Sequence, residues 1–154
     1  MTIPMLATTT PSPTASERTD PRCARTLHRF VTEFVNGGDE ACLDALVHDD
    51  YVFRSPGETL RGRDGLRELF RGYRAAFPDF HLAIRHVLAA GTETVLDFEL
   101  SGTHQGDYAG LSATGRRFEI RGFVRSTYRD GQIAEDWEVL DLYGLLHQLG
   151  AIPE

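Results

Sequence analysis

The last apolar run of the chain, Ala134-Glu135-Asp136-Trp137-Glu138-Val139-Leu140-Asp141, is where proton chemistry could sit. Read as a strand, its period of two sets Asp136, Glu138 and Leu140 on one face and Glu135, Trp137, Val139 and Asp141 on the other. Two readings follow. If Trp137 and Val139 cover the core, Asp136 and Glu138 face water. If the Glu138 face lines a cavity instead, desolvation raises its pKa and poises it to move protons near neutral pH. Asp141 lies on the face away from Glu138 and reads as a cap or a surface charge.

Other chemistries find little support. The six histidines, at 28, 48, 81, 86, 104 and 147, include no close pair on one face, and parity sets His81 and His86 on opposite faces of a strand, so no metal site is expected. No Gly-x-Ser-x-Gly elbow offers a nucleophile. Cys23 and Cys42 sit among apolar neighbours and read as reduced core residues. A formal charge of -7 argues against a polyanion-binding surface, and so against nucleic acid as a partner. Hydrophobic residues make up 41% of the 154, enough for one domain with a sizeable core. Neither a signal peptide nor a run of about 18 apolar residues is readable, which points to a cytoplasmic protein with no membrane contact.

The elements that would position these groups come in a definite order. Residues 1–21 are rich in Thr, Ser and Pro and read as a disordered tail, leaving 22–154 as a single domain. Cys23, Leu27, Phe30, Val31, Phe34 and Val35 fall at helical spacing, closed by Asn36-Gly37-Gly38. Asp39 caps a short second helix, and His48-Asp49-Asp50 reads as a turn. A short strand, Tyr51 to Arg54, ends at Ser55-Pro56-Gly57. A third helix runs from about Arg63 to Phe77, stopped by Pro78. The period then changes to two for four strands, around Phe80–Leu88, Leu96–Leu100, Phe118–Tyr128 and Ile133–Leu142. Helices first and strands afterwards predict an α+β domain with a curved antiparallel sheet wrapped around the first helix.

The ordered set Asn36-Gly37-Gly38-Asp39, Ser55-Pro56-Gly57, Ala76-Phe77-Pro78-Asp79, Gly102-Thr103-His104-Gln105-Gly106, Thr114-Gly115-Arg116, Asp130-Gly131-Gln132-Ile133-Ala134-Glu135-Asp136-Trp137 and Leu146-His147-Gln148-Leu149-Gly150 resembles the SnoaL-like polyketide cyclase family. The likeness spans about residues 25 to 153. It implies the cone-shaped fold of nuclear transport factor 2 and ketosteroid isomerase, usually dimeric, working without a cofactor. In the aldol cyclases of that family an Asp on the last strand is the general acid/base, and the matching position here is Glu138. The His those cyclases place beside it falls on Val124. This departure puts the aldol reaction in question, and the family also includes members that open epoxides to cyclic ethers.

The resemblance therefore implies a cofactor-independent cyclase of secondary metabolism with Glu138 and His104 as catalytic pair, closing a ring by epoxide opening or aldol attack. His104 lies in a Gly-Thr-His sequence that recurs across the family, so a structural role at the strand end competes with a catalytic one. Tyr51, Phe53 and Tyr73, with Val124 and Leu140, are the expected substrate-binding residues for a hydrophobic or aromatic molecule, although as aromatics the first three also suit a plain core. The alternatives are a hydroxylase or isomerase of the same kind and a non-catalytic ligand-binding or dimerisation module. A homodimer is expected through the outer sheet face, using Phe123 with Trp137 or Val139.

Overall fold

The computed structural model describes residues 19–153. The tail reading falls, for residues 1–18, outside the described residues, but Thr19, Asp20 and Pro21 are placed. Asp20 caps the first helix, α1 (Pro21–Arg29), by accepting from the Arg22 N–H, and Pro21 occupies the first turn, where its missing N–H costs nothing. The helix then widens into a π-helical stretch, Phe30–Asn36, whose Phe30, Val31, Phe34 and Val35 are all buried. Asn36 ends it through its side chain. The amide donates to the Leu82 carbonyl at 2.9 Å and accepts from the Leu82 N–H at 2.8 Å, tying the helix end to the sheet as a strand neighbour would.

After a 3-10 turn, Glu40–Cys42, and α2 (Leu43–Leu46), the chain enters β1 (Val47–Ser55), β2 (Glu58–Arg61) and α3 (Gly62–Ala76). Four long strands follow: β3 (His81–Ala90), β4 (Glu93–Thr103), β5 (Arg117–Arg129) and β6 (Gln132–Leu140), with α4 (Leu142–Leu149) last. They form one curved, unclosed six-stranded sheet in the order β2-β1-β6-β5-β4-β3. The α+β class holds.

Five details differ from the sequence expectation. β1 and β6 pair in parallel, so the sheet is mixed. β2 is an added edge strand whose Glu58, Thr59 and Arg61 are exposed, which left no apolar alternation to read. α4 was hidden because its leucines continue the apolar run of β6; Asp141 breaks that run by accepting from the Gly144 N–H, the capping role open to it. His48-Asp49-Asp50 lies within β1, where the register with β6 jumps from Val47↔Ile133 to Val52↔Glu135, so the expected turn is a bulge. A bulge acts in β3 as well. Its register slips between Ile84 and His86, so His81 and His86 pair with Ser101 and Asp97 on the same outer face, and simple parity fails.

The core lies between the concave sheet face and the helices. Leu96, Phe98, Leu100, Ile120 and Val124 meet Leu27, Phe30, Val31 and Leu66. Gly122 is the one gap in the inner row of β5: a Cβ there would come within 2.5 Å of the Phe98 ring and 2.7 Å of Leu140. Cys23 and Cys42 are buried free thiols. On the convex face Phe123, Trp137 and Val139 are 52%, 39% and 53% exposed, and no described helix covers this row. Among the described residues no helix is long and apolar enough to cross a membrane.

Candidate active site

β6 turns Asp136 and Glu138 inward, onto the concave side. Pairing to the neighbouring strands then fixes what stands beside each: Val124 of β5 is opposite Glu138, Ser126 of β5 is opposite Asp136, and Phe53 of β1 flanks Asp136 on the other side. Two connected spaces meet here. The inner one, about 40 Å³, is lined by apolar side chains of α1, the π-helical stretch, α3 and the sheet, with Tyr51, Ser126, Asp136 and Glu138 as polar groups. The outer one is an open cleft of about 420 Å³, bounded by Phe53, the Ser55-Pro56-Gly57-Glu58 turn, Tyr73, Tyr108, Leu140 and Leu142.

Among the described residues, only Phe53, Tyr73 and Glu138 belong to both spaces. Size decides which one takes a ligand. Small-molecule sites run to roughly 300–1,000 Å³, whereas the inner space suits water alone. Of the two, the cleft alone has room for a small molecule, and Glu138 borders it. Tyr51, Phe53, Tyr73 and Val124 line the inner cavity, and Phe53, Tyr73 and Leu140 the cleft, so all five expected substrate-binding residues surround Glu138.

Burial pushes the Glu138 carboxyl up to about 8, with the Asp136 charge adding to the effect. Among the described residues no side chain donates a hydrogen bond to it. Asp136 is also raised by burial, but only to about 6, because the Ser126 and Tyr51 hydroxyls donate to its charged form. The hydroxyl donors favour ionised Asp136 and Glu138 has no such donor, so of the two Asp136 ionises first. The phenols keep theirs: burial raises Tyr51 and Tyr73 well above the usual tyrosine value, and Tyr108 in the same direction.

His104 lies elsewhere. It borders neither the cavity nor the cleft and is fully buried, 5.7 Å from the Phe77 ring centroid, so the structure does not set it beside Glu138 as the sequence suggested. The reason is local. Its Nδ1 accepts from the Thr114 N–H at 3.2 Å and lies 3.0 Å from the Thr114 hydroxyl, while its backbone bonds to Gly115 and Arg116. The imidazole thus fastens the loop between β4 and β5. With Nδ1 accepting, the proton is on Nε2, which has no partner among the described residues.

The neighbouring motif residues do similar work. Asp79 accepts from the Thr103 N–H and hydroxyl, joining the end of α3 to β4, and Gly102 leaves room for Phe77 and Phe118, each about 3 Å from where a Cβ would stand. The sequence reading missed three residues of the site. Asp136 and Ser126 were within reach, since period two sets them beside Glu138 and Val124. Tyr108 was not, because it lies in a loop with no period and reaches the cleft by packing on Tyr73 and Phe77.

Fold and site together define a small α+β pocket protein with a buried acid at the junction of an apolar cavity and an open cleft. The chain belongs to the SnoaL-like polyketide cyclase family, which matches residues 25–149. Among solved structures it is similar to TsrD from Streptomyces laurentii, at 30% identity over 88% of this chain and 100% of that one, with a TM-score of 0.78. IdmH from Streptomyces antibioticus, provisionally named a polyketide cyclase, is 29% identical over 82% of this chain and 97% of its own, TM-score 0.73. AclR from Streptomyces galilaeus, provisionally named a hydroxylase, is 26% identical over 85% and 82%, TM-score 0.75. Among curated proteins none matches the chain.

Proposed function

We propose that this protein is a cyclase that closes a ring in a small, largely apolar molecule by passing protons through Glu138. The observation that carries this reading is the place of Glu138: a carboxyl held protonated near neutral pH, at the floor of a cleft large enough for such a molecule. A protonated acid suits opening of an epoxide better than abstraction of a carbon-bound proton, which needs the carboxylate. The Glu138 carboxyl delivers its proton to the epoxide oxygen as the C–O bond breaks. A hydroxyl of the same substrate forms the new C–O bond, and its proton passes to the other Glu138 oxygen. The acid is restored, and the proton balance needs no further group. Tyr73 and Tyr108 edge the cleft as neutral donors to an oxygen that gains charge.

An aryl-substituted 4,5-epoxy alcohol tests the reading. Cyclic ether should form faster with the protein than without it, and Glu138→Gln should remove the acceleration. A β-diketone able to close by aldol attack serves as the contrast. Conversion of the diketone alone would replace epoxide opening with aldol chemistry. Binding of both compounds with conversion of neither would favour the non-catalytic module.

The protein is further proposed to work as a homodimer in the cytoplasm, where the buried thiols of Cys23 and Cys42 stay reduced. Phe123, Val139 and Trp137 form an apolar row on the convex face, flanked by the Arg121–Asp97 ion pair, and a second copy would cover it. Trp137→Glu should turn a dimer into a 17.2 kDa monomer by light scattering. A wild-type monomer at micromolar concentration would refute the dimer.

A further inference from the structure

Asp136 borders only the inner cavity and is 6% exposed, so it does not meet a ligand in the cleft. Both its carboxylate oxygens are taken. Oδ2 accepts from the Tyr51 hydroxyl at 2.7 Å and Oδ1 from the Ser126 hydroxyl at 2.5 Å. Hydroxyls that donate to a carboxylate favour its charged form, whereas a carboxyl without donors in an apolar setting favours the neutral form. Asp136 is the first kind and Glu138 the second. They stand two residues apart on one strand face, about 7 Å between Cα atoms. A proton shared by the two therefore goes to Glu138.

We propose that Asp136 is a positioning residue for the chemistry, a buried anion held ionised by Tyr51 and Ser126 that keeps the proton on Glu138. The idea rests on Glu138 as the group that moves protons. Among the described residues no other charge has the same access. From the first helix, Leu27, Phe30, Val31 and Val35 face the cavity, and from α3 Leu66, Leu69, Phe70 and Tyr73. Tyr51 on β1, Tyr73 and the loop residue Tyr108 are neutral phenols, and Glu58 lies at the exposed mouth, where water screens it. Around Asp136 itself, Tyr128 is neutral and engaged with Thr94 at 2.9 Å, and Glu135 is on the opposite face of β6. The arrangement gives two carboxyls distinct protonation states without a histidine beside them, which is what Val124 in that place would otherwise leave unexplained.

The test reads Glu138 directly, by carbon-13 NMR titration of protein labelled at glutamate and aspartate side-chain carboxyls. In Asp136→Asn the midpoint of Glu138 should fall by about one pH unit or more. The base-driven ring opening of 5-nitrobenzisoxazole, which needs ionised Glu138, should shift its pH–rate midpoint down by the same amount. Tyr51→Phe, which removes one donor, should raise the Asp136 midpoint and, by leaving Asp136 less ionised, leave that of Glu138 no higher. A folded Asp136→Asn protein with an unchanged Glu138 midpoint overturns the proposal. Should that variant not fold, an Asp136 midpoint that stays put in Tyr51→Phe does so. Because the titration needs no turnover, midpoints that shift as expected in a protein that closes no ring would refute the cyclase and leave the role of Asp136 standing.

Discussion

Glu138→Gln is expected to lower cyclisation at pH 7 by about a hundredfold or more while making the protein more stable. Glutamine keeps the length and the hydrogen-bonding atoms of the side chain but cannot give up a proton, so a step limited by proton transfer stops. The stability gain follows from the same burial. In the folded protein Glu138 titrates near 8, against an ordinary value of 4.5. The folded state therefore holds a proton that the unfolded chain releases between those values. Stability from this group is complete below about 4.5 and falls as pH rises through 8. At pH 9 the buried charge costs on the order of 3 kcal/mol, less than the full shift implies because the carboxylate recovers some hydration from the cleft. Thermal unfolding of wild type and variant at pH 6 and pH 9 measures it, and the advantage of Glu138→Gln should widen at the higher pH. Cyclisation by the wild type should be flat below about 8 and decline above it, while 5-nitrobenzisoxazole opening rises over the same range. Equal turnover by the two proteins would show that the last-strand carboxylate does not carry the chemistry.

That carboxylate was legible because strand parity is a local property. Once Ala134 to Leu140 is a strand, Asp136 and Glu138 share a face whatever else the chain does, and Trp137 with Val139 takes the other. Parity alone could not say which face was inside. The concave curvature decides that, and curvature arises from the whole sheet with its bulges in β1 and β3. The same bulges explain the failures. Sequence alternation assumes an unbroken register, so His81 and His86 came out on opposite faces, and β2, with a single partly buried leucine at Leu60, gave no period to detect. The family likeness pointed to Glu138 as the candidate acid and showed the absence of a histidine at Val124. It could not supply Tyr51 and Ser126 as donors to Asp136, because those bonds join residues 85 and 10 positions apart and depend on strand pairing.

His104→Ala is expected to cost about 2–4 kcal/mol of stability and to leave the folded protein's pH–rate profile where it was. The ring is wholly inside, so its removal opens a hole against Phe77, and it strands the Thr114 N–H that Nδ1 now satisfies. The consequences should stay in the loop between β4 and β5, whose Gln105 and Gly106 N–H groups bond to the Ala76 carbonyl at the end of α3. Tyr108 rides on this loop, so weaker binding in the cleft with an unchanged pH midpoint fits the same role. His104→Phe refines the argument. It keeps the packing and removes the unpartnered Nε2–H, yet it still orphans Thr114, so it should recover most of the stability lost in the alanine variant. Urea denaturation of the three proteins, with the 5-nitrobenzisoxazole profile taken on each at a temperature where it is folded, separates packing from chemistry. A displaced pH midpoint in both variants at full stability would return His104 to the proton-transfer machinery, and would require it to act on Glu138 from behind Phe77 without bordering the cleft.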